Sequence, residues 1–194
     1  MKIYLASQSV YKIGIMQKFF AEVVSVSHYA DETINTLNDP EFESRRLAKD
    51  KVLSIIGSID CSPKDILIGG DQVGYFDGGF LEKPGTIENQ KKQLAQLSNK
   101  EVSFYTSMYV SSKDQSINKL ITDCTLVKFK ELPDELINKY VEKENASDCA
   151  GGFKIESLGP LLMEYVSMRD PYALQGLPIM QLIRALEEIG ISPM

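Results

Sequence analysis

A chain of 194 residues, 43% apolar and 25% charged, has the length and balance for one core of ordinary size or two closely packed lobes. Its formal net charge of −6 argues against a nucleic-acid or anionic-membrane surface, which would want a basic excess, yet leaves room for a small anion held by a few lysines. No apolar run is long enough to span a bilayer, and the opening MKIYLASQS lacks the apolar stretch of a signal peptide, so no membrane partner and a cytoplasmic location are expected.

KIYLA reads as a short buried strand, ended by the polar turn SQS and followed by an apolar-rich helix to Phe20. VVSVSHY alternates as a second strand should. In DPEFESRRLAKDKVLSIIGS, Asp39 is a good N-cap and Pro40 suits the first helical turn. Phe42, Leu47, Ala48, Val52, Ile55 and Ile56 then form the inner stripe of that helix. DILIGG is the next strand, expected to break at its glycines, and FDGGF supplies Asp-Gly chemistry for a hairpin. Thr86 caps a helix over TIENQKKQLAQLSNK with Ile87, Leu94 and Leu97 on one face. EVSFYTSMYVSS and LITDCTLVKFK form an antiparallel pair across the polar loop KDQSIN. LPDELINKYVEKEN is an exposed amphipathic helix with Pro133 near its start, and GPLLMEYVSM is a last strand. LPIMQLIRALEEIG closes the chain with Ile179, Leu182, Ile183, Leu186 and Ile189 inward and Gly190 as the stop. This interleaving predicts an α/β fold with a mixed sheet, and no repeat or linker divides it.

Polar residues at strand tips are the candidates for chemistry, because α/β proteins hold ligands there. In SQSVYK, the Ser7 and Ser9 hydroxyls, the helix N–H groups and Lys12 suit phosphate oxygens, although serine is also a common helix cap. Asp71 follows a strand too apolar for a surface edge, so it either faces a ligand or caps its own turn. Gly69 and Gly70 permit close approach of a ligand or a neighbouring strand. Lys83 taken alone reads as a surface lysine. Cys149 has only His28 as a conceivable base, and nothing in the sequence brings the two together, so it reads as a buried structural thiol. Three scattered cysteines fit a reduced compartment, and a single histidine excludes most zinc-site arrangements.

These stretches resemble the Maf family of nucleotide pyrophosphatases, and more closely its branch that hydrolyses 7-methyl-GTP. LASQS, ADET, LAKDKV, GGDQV, EKP, YVEKENASDCAGGFKIES and RDPYALQGLP match the family's motifs in order and spacing. The resemblance implies one domain over residues 1–194, a mixed α/β sheet with two lobes around a deep cleft, similar to the inosine-triphosphatase architecture. It implies release of pyrophosphate from a nucleoside triphosphate, a divalent cation such as Mg2+ or Mn2+, a small nucleotide as the partner, and it allows a homodimer. Position by position, it makes Asp71 the catalytic acid–base residue and, with Glu32, a metal ligand. Ser7, Lys51 and Lys83 become phosphate contacts beside Ser9 and Lys12, while Tyr11, Gln72 and Glu156 set the base. The physics of the base agrees: N7-methylation makes guanine cationic, an aromatic face attracts it, and a carboxylate accepts its N1–H and 2-amino protons. Arg and Gln at the Tyr11 and Glu156 positions would instead favour dTTP, UTP or a related base. Ile13 stands where the family has a second cation, which keeps a nucleotide-binding regulator with little turnover as the alternative. Gly70 replaces a serine and Glu82 a glycine.

Overall fold

The computed structural model describes residues 1–36 and 38–192. Among them, a mixed seven-stranded sheet runs in the order β2-β1-β3-β5-β6-β7, with β4 paired to β3. The strands are β1 (Ile3–Ala6), β2 (Val23–Val26), β3 (Ile66–Phe76), β4 (Gly79–Leu81), β5 (Glu101–Ser112), β6 (Asn118–Phe129) and β7 (Met163–Ser167). The helices are α1 (Val10–Phe19), α2 (Pro40–Ile56), α3 (Ile87–Leu97), α4 (Asp134–Lys143) and α5 (Ile179–Glu187). β1 lies parallel to β2 and β3, whereas β3, β5, β6 and β7 are antiparallel in turn. The expected mixed sheet is therefore what the chain builds. No helix among the described residues is long and apolar enough to cross a membrane.

The strand that carries DILIGG does not break at its glycines. It continues to Phe76, and Asp71 and Gln72 pair with Ser107 and Thr106 of β5 in the middle of the sheet. Gly69 and Gly70 are there for packing. A Cβ on Gly69 would fall 2.3 Å from the Ala48 carbonyl oxygen of α2, and one on Gly70 would fall 2.6 Å from Leu177 Cδ2. Neither a ligand nor a strand fills those spaces; a helix and a leucine do. Asp77 and Gly78, both at positive φ, then make the tight reversal into β4.

Side chains alternate across β3. Ile66 and Ile68 point into a core shared with Ile15 and Met16 of α1 and Leu182 and Leu186 of α5. Leu67 points the other way, onto Ala48, Val52 and Ile55 of α2. Each fully buried leucine or isoleucine here contributes about 1.5–3 kcal/mol. Beyond Val73 the same sheet carries a second lobe, in which Phe104, Phe129 and Phe153 meet Leu94 and Leu97 of α3 and Ile137 and Tyr140 of α4. Phe153 packs edge-on to both other rings, 5.5 and 5.6 Å between centroids. Asp71 and Gln72 thus lie where the two lobes meet.

Several sequence expectations need adjustment. Phe42 and Ile87 are exposed rather than inward: Phe42 falls on the outward face of α2 with Arg45, Lys49 and Leu53, while Pro40, Glu43 and Ser44 turn inward, and Ile87 sits in the first turn of α3, before the buried Gln90. The second strand stops at Val26, short of Ser27, His28 and Tyr29, and the last begins only at Met163, after a 3₁₀ turn over Gly159–Leu162. The caps Asp39 and Thr86 hold as expected, accepting from Phe42 N at 2.9 Å and Asn89 N at 3.2 Å.

Candidate active site

Parity on β3 decides what Asp71 meets. An odd position faces α2, and there Lys51 reaches inward from the same stripe as Leu47, Ala48, Val52 and Ile55. Its Nζ donates to Asp71 Oδ1 at 2.5 Å and lies 2.6 Å from Glu32 Oε1. The turn-cap alternative for Asp71 is thereby set aside. Burial alone would lower the Lys51 pKa, but the Asp71 and Glu32 carboxylates outweigh it and hold the ammonium above its ordinary value. Glu32 is lowered: the penalty of burial is overcome by its bond to Lys51 and by the charges of His28 and Lys83.

Glu32 belongs to the irregular segment after β2, and two residues of α2 tie that segment down. The fully buried Glu43 accepts from Asn35 N at 3.1 Å and from Thr36 N at 2.8 Å. Arg46 donates to the Thr33 carbonyl at 2.6 Å while pairing with Glu43. Sequence reasoning missed both. A charge at each of Glu43 and Arg46, on turns of a helix that otherwise faces the sheet, was the available signal. It also missed His28, whose Nε2 lies 3.8 Å from Glu32 Oε1. His28 is pushed below its ordinary value by burial first and then by Lys51, and among the described residues its Nδ1 meets no hydrogen-bond partner.

Lys12 approaches from the opposite side. Ser9 caps α1 by accepting from Lys12 N at 3.4 Å, and the buried Ser7 accepts from Ser9 N at 3.1 Å. The Lys12 ammonium donates to the Gly70 carbonyl at 2.7 Å, and its stem runs over Gly176, where a Cβ would fall 2.9 Å from Cε. Gly176, at φ +99°, supplies the left-handed turn that leaves this path open. Burial, then the charges of Lys51 and Lys83, push the Lys12 pKa down to about 8. Lys83 itself is exposed on the loop after β4, held to α3 by Gln93 Nε2 donating to the Glu82 carbonyl at 3.0 Å. Lys12, Glu32, Lys51, Asp71 and Lys83 are thus brought to one region, Lys12 within reach of the charges of Lys51, Asp71, Lys83 and Glu32, and Ser7 and Ser9 lie beside it at the start of α1. Among the described residues, no three His, Cys, Asp or Glu side chains gather as a metal site made by protein ligands alone would need.

The three base-setting positions are arranged differently. Gln72, on the even face, donates through Nε2 to Thr106 Oγ1 at 2.8 Å and to the Ala173 carbonyl at 3.0 Å. Tyr11 donates to Asp148 Oδ2 at 3.3 Å. Glu156 is exposed in a turn rather than on a strand, near enough for its charge to be felt at Cys149. Cys149 is half-buried, and burial followed by the Asp148 charge pushes its thiol up to about 12, opposite to what a nucleophile needs.

A mixed sheet that holds Asp71 at its centre, with Glu32 and a shared Lys51 ammonium beside it and Lys12 nearby, defines an α/β protein with a charged candidate site between its two lobes. The chain belongs to the Maf family: the Maf-like protein model matches residues 2–189. It is 36% identical over 193 residues to a 7-methyl-GTP pyrophosphatase of Saccharophagus degradans, covering 98% of this chain and 95% of that one. It is 37% identical over 192 residues to a 7-methyl-GTP pyrophosphatase of Pseudoalteromonas atlantica, covering 99% and 97%. Among solved structures it is similar to the Ham1 protein of Staphylococcus aureus, at 15% identity and a TM-score of 0.42, over 66% of this chain and 72% of that one.

Proposed function

We propose that this protein is a nucleoside triphosphate pyrophosphatase that converts 7-methyl-GTP to 7-methyl-GMP and pyrophosphate. The observation that carries the reading is the Lys51 ammonium shared by Asp71 and Glu32, with Lys12 and Lys83 acting on the same groups. The substrate is suggested by the names of the relatives, which span almost the whole chain.

Phosphoryl chemistry of this kind needs positioning and charge neutralisation more than covalent help. Lys12, Lys51 and Lys83 meet the triphosphate oxygens, and the Ser7 and Ser9 hydroxyls hold the end nearest α1. Asp71, steadied by Lys51, accepts a proton from the attacking water. The new oxygen–phosphorus bond forms at the α-phosphorus as the bond to the bridging oxygen breaks, and the electron pair leaves with pyrophosphate. Tyr11, Gln72 and Glu156 read the base. Because both protons of Gln72 Nε2 are spent within the protein, Gln72 reads through Oε1.

Glu32 and Asp71 lie side by side through Lys51, and each has a second carboxylate oxygen besides the one that Lys51 takes. That fits a hard cation such as Mg2+ or Mn2+, which is commonly held by one or two carboxylates together with substrate phosphates. When bound there, such an ion would polarise phosphate oxygens and offset their charge. The free thiols Cys61, Cys124 and Cys149 suit a cytoplasmic setting, and we assign residues 1–194 to one catalytic domain.

The test is pyrophosphate release from methylated and standard nucleoside triphosphates with Mg2+ or Mn2+, beside Asp71→Asn. Preferred hydrolysis of 7-methyl-GTP that disappears in the variant supports the reading. Tight binding without turnover would replace it with the regulatory alternative.

A further inference from the structure

The Lys154 side chain occupies an unusual position: its Nζ lies 5.4 Å from the centroid of the Tyr11 ring. The same ammonium donates to the Asn145 carbonyl at 2.6 Å and lies 4.0 Å from Asp148 Oδ1. Asp148 is joined to the aromatic itself, since the Tyr11 hydroxyl donates to Oδ2, and it also accepts from the Cys149 thiol at 3.5 Å. A ring face, a carboxylate and a carbonyl oxygen therefore converge on one positive charge. This is the chemistry by which aromatic sites take up methylated cations.

We propose that Asp148 is a specificity-determining residue, forming with the Tyr11 ring and the Asn145 carbonyl a cradle for a cationic purine that Lys154 fills in the free protein. The inference rests on the base-reading role given above to Tyr11 and names the acid that acts with it. Asp148 is well exposed and within a ligand's reach, whereas the Lys154 side chain is largely covered. The Lys154 backbone is fixed, so only its side chain has to leave. Its N–H donates to the Tyr140 hydroxyl at 3.2 Å, and its carbonyl accepts from Gly159 N at 2.9 Å. A Cβ at Gly159 would fall 2.4 Å from that carbonyl oxygen, which keeps the turn closed. An N7-methylated guanine entering the cradle takes over both the ring-face and the carboxylate attraction that Lys154 gives up. A neutral guanine recovers only the stacking. Displacing Lys154 costs the same for either base, so the discrimination comes from Asp148 and Tyr11 rather than from the lysine.

The experiment uses the full chain and two phosphate-free probes, 7-methylguanosine and guanosine, titrated by calorimetry, alongside kcat/KM for the two triphosphates. Asp148→Asn should lower the methylated-to-unmethylated ratio about tenfold in both measurements, as expected for loss of one charge-assisted contact. Lys154→Met should strengthen 7-methylguanosine binding two- to fivefold, the size of a partly exposed cation–π contact. This second variant is read independently should Asp148→Asn fail to fold. A ratio unchanged in Asp148→Asn, or no gain in Lys154→Met, overturns the proposal. The two readings fail separately. Pyrophosphate release with a ratio insensitive to Asp148 sinks the cradle alone. Preference for 7-methylguanosine with no turnover of any triphosphate keeps the cradle and sinks the enzyme.

Discussion

The Lys51 ammonium lies 2.5 Å from Asp71 Oδ1, twenty positions further along the chain, and it is this pair that joins helix α2 to the centre of the sheet. Lys51 is only 5% exposed, so its charge is present because carboxylates hold it there. Lys51→Met should lower kcat/KM for the triphosphate about a hundredfold or more, the scale seen when one charge-stabilising group is removed from an active site. It should also cost about 1–3 kcal/mol of stability, because Asp71 and Glu32 are left facing each other without their shared donor. Steady-state pyrophosphate release and urea unfolding check the two effects. A variant with full activity would remove Lys51 from the mechanism.

Lys12 gives the site a pH dependence of defined sign. Its pKa is lowered to about 8, so the ammonium is protonated below that pH and loses its charge above it. KM for the triphosphate should therefore rise as pH passes about 8, by roughly tenfold for one lost charge-assisted contact. Linkage runs the other way for folding. The unfolded chain holds the Lys12 proton up to about 10.5 while the folded one releases it earlier, so this residue favours the folded state increasingly between about 8 and 10.5. Lys12→Arg keeps its charge throughout, and the rise in KM near pH 8 should vanish. A KM profile identical in the two proteins would show that Lys12 does not meet the phosphates.

Gly69 offers a test of packing rather than charge. A Cβ there meets the backbone oxygen of Ala48 at 2.3 Å and Val52 Cγ2 at 2.8 Å, so α2 must retreat from the sheet to admit a methyl group. Gly69→Ala should lose about 1–3 kcal/mol, the cost of overpacking a close-packed core. Moving α2 also carries Lys51 away from Asp71, so kcat should fall along with the unfolding midpoint. Unchanged stability and rate would mean that the helix has more freedom than the contact distances allow.

The sequence revealed the fold through hydrophobic spacing: Leu47, Ala48, Val52 and Ile55 on α2, Leu182 and Leu186 on α5, and the long strands flanking KDQSIN all lie as periodicity predicts. It misled at Gly69-Gly70-Asp71-Gln72, where residues that commonly make turns sit inside a central strand. Local preference gave way because α2 and Leu177 need the space that only glycine leaves. Asp71, Lys12 and the serines were visible from their positions beside strands. Lys51 and Glu32 were reached only through family motifs, since a lone lysine in an apolar stripe carries no sign of which acid it meets. Glu43, Arg46, Asp148 and Lys154 were not reached, because their roles depend on contacts with residues distant in the chain or in irregular segments, which no local pattern announces.

Gln72 separates base reading from structural support. Its Nε2 donates to Thr106 Oγ1 and to the Ala173 carbonyl, and Thr106 Oγ1 donates to that same carbonyl at 3.0 Å. This knot ties the sheet to the 3₁₀ turn Ala173–Gln175, which leads into Gly176 and so to the path of Lys12. Gln72→Glu replaces the amide by a group that, when ionised, only accepts, and it then faces the Ala173 oxygen with no proton to share. The variant should be destabilised by about 1–3 kcal/mol at neutral pH and recover part of that loss in acid, where a protonated carboxyl can donate again. Its KM should rise because the turn beneath Lys12 is released. Chemical unfolding at pH 5 and pH 8, compared with the parent chain, measures the recovery. Equal losses at both pH values would mean that the Gln72 donors do not hold this turn.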